Sequence, residues 1–196
     1  LDARGLCCPA GGFHVDPWKP VETAVITHAH ADHARRGSRR YVATRQSVPI
    51  LRHRLGAGIE IEGLEYGEVR RFGDVEVSLH PAGHVLGSAQ VRVASAETTW
   101  VVSGDYKRDP DPTCAPFEAV EADVFVTEAT FALPVYRWPD TTAVAREILA
   151  WWNACRAAER PAVLFCYAFG KAQRLLAELS ALTDRTVYLH GAMLDL

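Results

Sequence analysis

A chain of 196 residues, 48% of them hydrophobic and 23% charged, can bury a sizeable core, and no apolar run in it approaches the ~20 residues a membrane-spanning helix needs. The net charge of −3 excludes a uniformly basic nucleic-acid binder, and five cysteines without paired C-x-x-C spacing exclude both a disulfide framework and a cysteine-based zinc site. No membrane partner is expected, and the cysteine usage points to a cytoplasmic location, with Cys155 and Cys166 as small core residues.

Taken in chain order, Gly5 to Pro20 (GLCCPAGGFHVDPWKP) reads as a Pro-rich loop carrying an amphipathic Trp18. The stretch at 24–27 reads as a strand, and THAHADHARRG begins at its last residue, directly after the apolar Ala24-Val25-Ile26. ARRGSRR and RQSVPILRHRL are the helical pieces of the next stretch, with a strand at 41–44 between them. Strands follow at 75–80, 89–94 and 99–103, of which VEVSLH alternates apolar and polar residues as a half-buried strand does. ADVFVTEA is a further strand.

The pattern then changes. Pro139-Asp140-Thr141 opens a helix with apolar residues at helical spacing, PAVLFCYAFGKAQRLLAELSAL reads as a strand turning through Gly170 into a helix, and TVYLHG begins another strand. Strand–helix alternation predicts a parallel α/β unit from about residue 135, so the fold class is α/β with domains at 1–134 and 135–196.

The chemistry concentrates at strand ends. His28, His30, Asp32 and His33 form H-x-H-x-D-H; His84 follows a strand and a Gly turn in HPAGHVLG; Asp105 follows Ser-Gly at the end of VVSGD. Imidazoles and carboxylates are costly to bury unpaired, and a metal ion is the economical partner for such a cluster. Imidazoles favour Zn²⁺, and the mixed carboxylates leave Mn²⁺ open. The stretch between Asp32 and Glu60 holds no acid but seven arginines, among them Arg35 and Arg36, which could attract a phosphate backbone. Lys107 and Arg108 add cations beside Asp105. His14, His53, His80 and His190 read as packed or exposed histidines, although His80 could orient His84 through its other ring nitrogen.

H-x-H-x-D-H, G-H and S-G-D in this order resemble the metallo-β-lactamase superfamily. The resemblance implies an αββα sandwich, with His28, His30 and His84 on one divalent ion, Asp32 and His33 on a second, and Asp105 bridging the two. Glu128 in VFVTEATF is similar to the acidic motif that opens the β-CASP nuclease module, and CYAFGKAQRLL, with Lys171 at a helix start, to a segment within it. The stretches GLCCPAGGFHVDPWKPVETAVITHAHADHA, HPAGHVLGSAQVRV, VVSGDYKRDPDPTCAPFE and TEATFALPVYRWP resemble bacterial ligase-associated DNA exonucleases of the β-CASP branch. What this implies is phosphodiester hydrolysis with two divalent ions (Zn or Mn) on single-stranded DNA, in repair alongside an ATP-dependent DNA ligase and a helicase. Asp32 would orient the attacking water, and Glu128 would position a proton-donating histidine.

Two later histidine motifs of that branch are not found before Leu196, and the first lactamase-like strand is not found after Leu1. The expectation is therefore part of a longer chain, roughly 330 residues by the usual size of two-module proteins. An RNA-processing endonuclease, a thiolesterase-like hydrolase and an inactive nucleic-acid-binding subunit are the rival readings.

Overall fold

The computed structural model describes residues 1–196, which divide into two compact units, 1–128 and 129–196. No helix is long and apolar enough to cross a membrane.

The first unit holds two five-stranded sheets. One sheet runs β1 (Leu6–Cys8), β2 (Phe13–Val15), β3 (Thr23–Val25), β4 (Arg40–Thr44) and β5 (Glu60–Leu64) in spatial order. Its first pair is antiparallel and the rest are parallel. The other sheet is an antiparallel meander of β6 (Arg70–Phe72), β7 (Val75–Pro81), β8 (Ala89–Ala94) and β9 (Thr99–Val102), with β10 (Val124–Val126) parallel to β9 at its edge. Alternation decides which side chains meet: Phe13, Val15, Val25, Val42 and Leu64 from one sheet share a single core with Phe72, Val77, Leu79 and Val91 from the other. Phe13 meets Phe72 edge-on, with ring centroids 5.5 Å apart.

Two segments depart from the sequence reading. Residues 5–20, expected as a loop, contain the β1–β2 hairpin, because pairing of β2 with β1 and β3 seats Phe13 and Val15 in the core, 1% and 5% exposed. ARRGSRR forms turns instead of a helix. Gly37 takes φ +102° at its centre, and the Tyr41 hydroxyl clamps the segment, donating to Arg35 O (2.9 Å) and accepting from Ser38 N (3.0 Å). RQSVPILRHRL does coil, as a 3-10 turn followed by α1 (Val48–Leu55) with Pro49 in the first turn, where no intrahelical donor is lost. The acidic stretch after α1 supplies β5, whose Glu62 pairs with Arg40 and Arg70.

In the second unit, α2 (Thr141–Ala157) starts where Asp140 accepts a hydrogen bond from Ala143 N at 2.9 Å, and α3 (Lys171–Ser180) starts after Gly170 at φ +93°. Cys155 is buried on α2 as expected, whereas Cys166 is exposed. The strands expected at 161–167 and 186–190 are not formed. β-branched and aromatic residues make a chain fit for a sheet, but only a hydrogen-bonding neighbour makes it a strand, and neither segment pairs; Phe165 and Tyr188 are more than nine-tenths exposed.

Candidate metal centre

Three strand ends meet at one corner of the first unit. β3 continues through Ile26, whose N–H donates to Val42 O (2.8 Å), and the chain then turns outward as Thr27-His28-Ala29-His30. β7 ends at Pro81 and delivers His84 through Ala82-Gly83; the buried Ser88 hydroxyl accepts from the backbone N–H groups of His84 (3.0 Å) and Val85 (3.1 Å) and so holds the turn. β9 ends at Val102, Ser103 N donates to Val126 O (2.9 Å), and Gly104 at φ +55° swings Asp105 inward.

Ligand atoms of His28, His30, His84 and Asp105 all lie within 4.8 Å of one another. His30 Nδ1 is 3.0 Å from His28 Nε2 and 3.3 Å from His84 Nε2. Asp105 Oδ2 stands 3.8 Å from His28 Nε2 and 3.7 Å from His84 Nε2. Four donors around a tetrahedral ion at about 2.0–2.1 Å stand roughly 3.3–3.4 Å from each other, so the spacing fits one. Burial, chiefly, pushes His28 well below the usual imidazole pKa and His84 below it, which keeps their lone pairs free at neutral pH. The nitrogens of His28 and His84 converging with His30 and a carboxylate on one point are a donor set a cation satisfies.

Beside this group stands a second. The other oxygen of Asp105, Oδ1, is 3.2 Å from His33 Nε2, and Asp32 Oδ2 is 3.5 Å from the same nitrogen. One carboxylate therefore faces His28 and His84 with one oxygen and His33 with the other.

Asp16 is the residue that sequence reasoning missed. It follows β2 at φ +43° and accepts from Thr27 N (2.8 Å), Thr27 Oγ1 (2.6 Å) and His33 Nδ1 (2.7 Å). Because the Thr27 hydroxyl proton goes to Asp16, the Thr27 oxygen accepts from His28 Nδ1, 3.1 Å away, and His28 must present its bare Nε2 to the cluster. Burial opposes charge on His33, but hydrogen bonds to Asp105 and Asp16 outweigh it and hold the imidazole pKa up at about 10. The available signal was a carboxylate at a strand end, the same logic that singled out Asp105; it was passed over because residues 5–20 read as a loop.

Gly104 tests this support. A Cβ there would lie 2.6 Å from Thr27 Cβ and 2.7 Å from its Oγ1, in a backbone region side chains disfavour. Gly104→Ala is expected to displace Thr27, weaken metal affinity about 10–100-fold in competition with a chelating dye, and lower the melting temperature.

A cavity of about 440 Å³ adjoins the cluster, lined among others by Asp16, Asp32, His33, Arg35, Asp105 and Glu128. Of the sequence-predicted cations only Arg35 reaches it. Arg36 donates to Arg54 O (2.7 Å), and Lys107 Nζ turns to Asp109 O and Pro110 O, 3.0 Å each. Arg108 is exposed, and Lys171 lies in the second unit over the Tyr167 ring. The arginine run is largely engaged within the fold: Arg39 pairs with Glu22 (2.7 Å), Arg40 with Glu62 and Arg45 with Glu65, while Arg54 donates to Ala29 O. His80 bonds Ser78 and Glu118 rather than His84.

No family model matches the chain. It is 31% identical over 179 residues, 90% of its own length, to a probable DNA ligase of Opitutus terrae, and 29% identical over 169 residues (84%) to an endoribonuclease of Gibberella zeae. A ribonuclease of Thermus thermophilus is 32% identical over 150 residues, 61% of this chain. The chain spans 18%, 19% and 34% of the lengths of these three relatives. A protein of unknown function from Enterococcus faecalis V583 superposes with a TM-score of 0.55 at 16% identity, over 87% of this chain and 47% of that one, a likeness of fold.

Proposed function

We infer that the chain belongs to the metallo-β-lactamase and β-CASP nuclease family and forms part of a metal-dependent nuclease that hydrolyses phosphodiester bonds. One observation carries this reading: His28, His30, His84 and Asp105, from three strand ends, converge at the spacing a divalent ion requires. The nuclease names of the relatives support it. So does the arrangement of two packed sheets, which suits the αββα sandwich of that family.

In this reading His28, His30 and His84 would hold one ion, Asp32 and His33 a second, and Asp105 would serve both. Such ions, Zn²⁺ or Mn²⁺, would supply an acidified water and neutralise charge on the phosphodiester. The protein's own groups do the rest. Asp16 and Thr27 fix the tautomers of His33 and His28, Asp32 orients the attacking water, and Glu128 at the cavity wall positions a proton donor. Arg35, at the cavity wall, receives a phosphate oxygen, and the exposed Arg108 is a further contact for the backbone. Residues 1–134 form the lactamase-like domain, and 135–196 begin the β-CASP module.

The substrate we favour is single-stranded DNA, degraded exonucleolytically in the cytoplasm alongside an ATP-dependent ligase and a helicase; the likeness to a probable DNA ligase supports this. RNA cleavage is the second reading, favoured by the relatives named as ribonucleases. End-labelled DNA and RNA of one sequence, incubated with the protein and Mn²⁺ or Zn²⁺, separate the two. Stepwise shortening of DNA that His28→Ala abolishes is the expected result. Preferential internal cutting of RNA replaces the substrate and keeps the site. Cleavage of neither, with metal bound, returns the thiolesterase-like and inactive-subunit readings.

A further inference from the structure

We propose that Phe131, Tyr136 and Trp138 form a stacking platform for the bases of single-stranded nucleic acid, an inference that rests on the nuclease reading above and adds a substrate contact to it. The three rings are 56%, 46% and 66% exposed, yet they are ordered against one another. Phe131 meets Tyr136 and Trp138 nearly perpendicularly, with centroids 5.1 Å away in each case. Tyr136 and Trp138 lie within 15° of parallel, their centroids 6.3 Å apart. A base stacks at roughly 3.4 Å from a flat face, and the exposed faces of these two near-parallel rings are what it would meet, with Phe131 packed against both.

The local sequence shapes the platform. Leu133 O accepts from Tyr136 N at 3.1 Å, a turn with Pro134 at its second position that folds Tyr136 back towards Phe131. Pro139 restricts Trp138 to extended backbone, and residue 140 already caps α2. Tyr136 and Trp138 thus project from a short segment pinned at both ends, with the exposed Arg137 between them as the cation a phosphate backbone requires. Three large rings held open to water by their own packing suit a ligand that offers flat faces, and stacking is sequence-tolerant because every base has one.

The test is binding without cleavage. Fluorescence anisotropy in chelator compares an oligothymidylate of about 16 nucleotides with an abasic strand of the same length. The wild-type chain is expected to prefer the base-bearing strand. Tyr136→Ala and Trp138→Ala should each weaken that binding roughly 5- to 150-fold and leave the abasic strand unaffected, while Trp138→Phe restores most of the loss. Variants with unchanged melting curves that lose neither strand, or both equally, overturn the platform. So does a wild-type dimer in sedimentation that Trp138→Ala dissolves, since the rings would then face a second copy. The two readings fail separately: normal metal-dependent cleavage without a base preference removes the platform alone, and a base preference without cleavage removes the nuclease alone.

Discussion

Asp105→Ala is expected to abolish the proposed nuclease activity, by about a thousandfold or more, while the chain stays folded. The carboxylate sits beyond the end of β9, a third exposed, and belongs to no core cluster. Its work is electrostatic and positional. One oxygen faces His28 and His84, the other faces His33, and the hydrogen bond from His33, with burial opposing it, keeps the carboxyl ionised far into the acid range. Removing it strips one donor from the first group of ligands and the shared donor from the second, and the lost charge stabilisation of several kcal/mol corresponds to three or more decades in rate. Metal content measured together with turnover on a labelled oligonucleotide decides the matter. Retained turnover with two ions bound would remove Asp105 from the site.

The second large effect belongs to Asp16, which touches no candidate substrate. Asp16→Asn keeps the shape, and asparagine tolerates the φ of +43° found there, so the backbone has no reason to move. The loss is chemical. The carboxylate accepts three hydrogen bonds, two from Thr27 and one from His33, and an amide must turn its NH₂ towards one of those donors. Metal affinity should fall about 10–100-fold, and stability by about 1–3 kcal/mol.

In the metal-free chain this stability difference should depend on pH, in a direction His33 dictates. Its folded pKa, about 10, lies above the unfolded value, so its contribution is fully present below about 6.5 and is lost as pH rises through 10. Urea midpoints of wild type and Asp16→Asn should therefore converge between pH 7 and 10. A constant gap would mean that the His33–Asp16 pair contributes nothing to stability.

Several features were legible in the residues because they are local. The period-two alternation of VEVSLH is visible without a fold and became β7. Pro139-Asp140-Thr141 announced α2 because a cap acts only on the first turn of its own helix. His28, His30 and His84 stood out because polar clusters after apolar strands are costly without a partner, and the structure brings them together with Asp105. Other features were not legible, for reasons equally physical. The β1–β2 hairpin hides in a Pro- and Gly-rich run, because what makes it a hairpin is burial of Phe13 against Phe72, some sixty residues away. The arginine run reads as able to attract a phosphate backbone because its partners are not local: Glu62 lies on β5, and Glu22 and Glu65 flank β3 and β5.

Local residue order sets which chemistry is available here: donor types, their strand-end placement and the small residues that let the chain turn at each. How the donors are held is settled by packing. Asp16 stands 11 residues from Thr27 and 17 from His33, and the packing of β2 beside β3 brings its carboxylate within hydrogen-bond reach of both. A side chain's identity is fixed locally, but its orientation, tautomer and charge depend on neighbours that chain order does not predict.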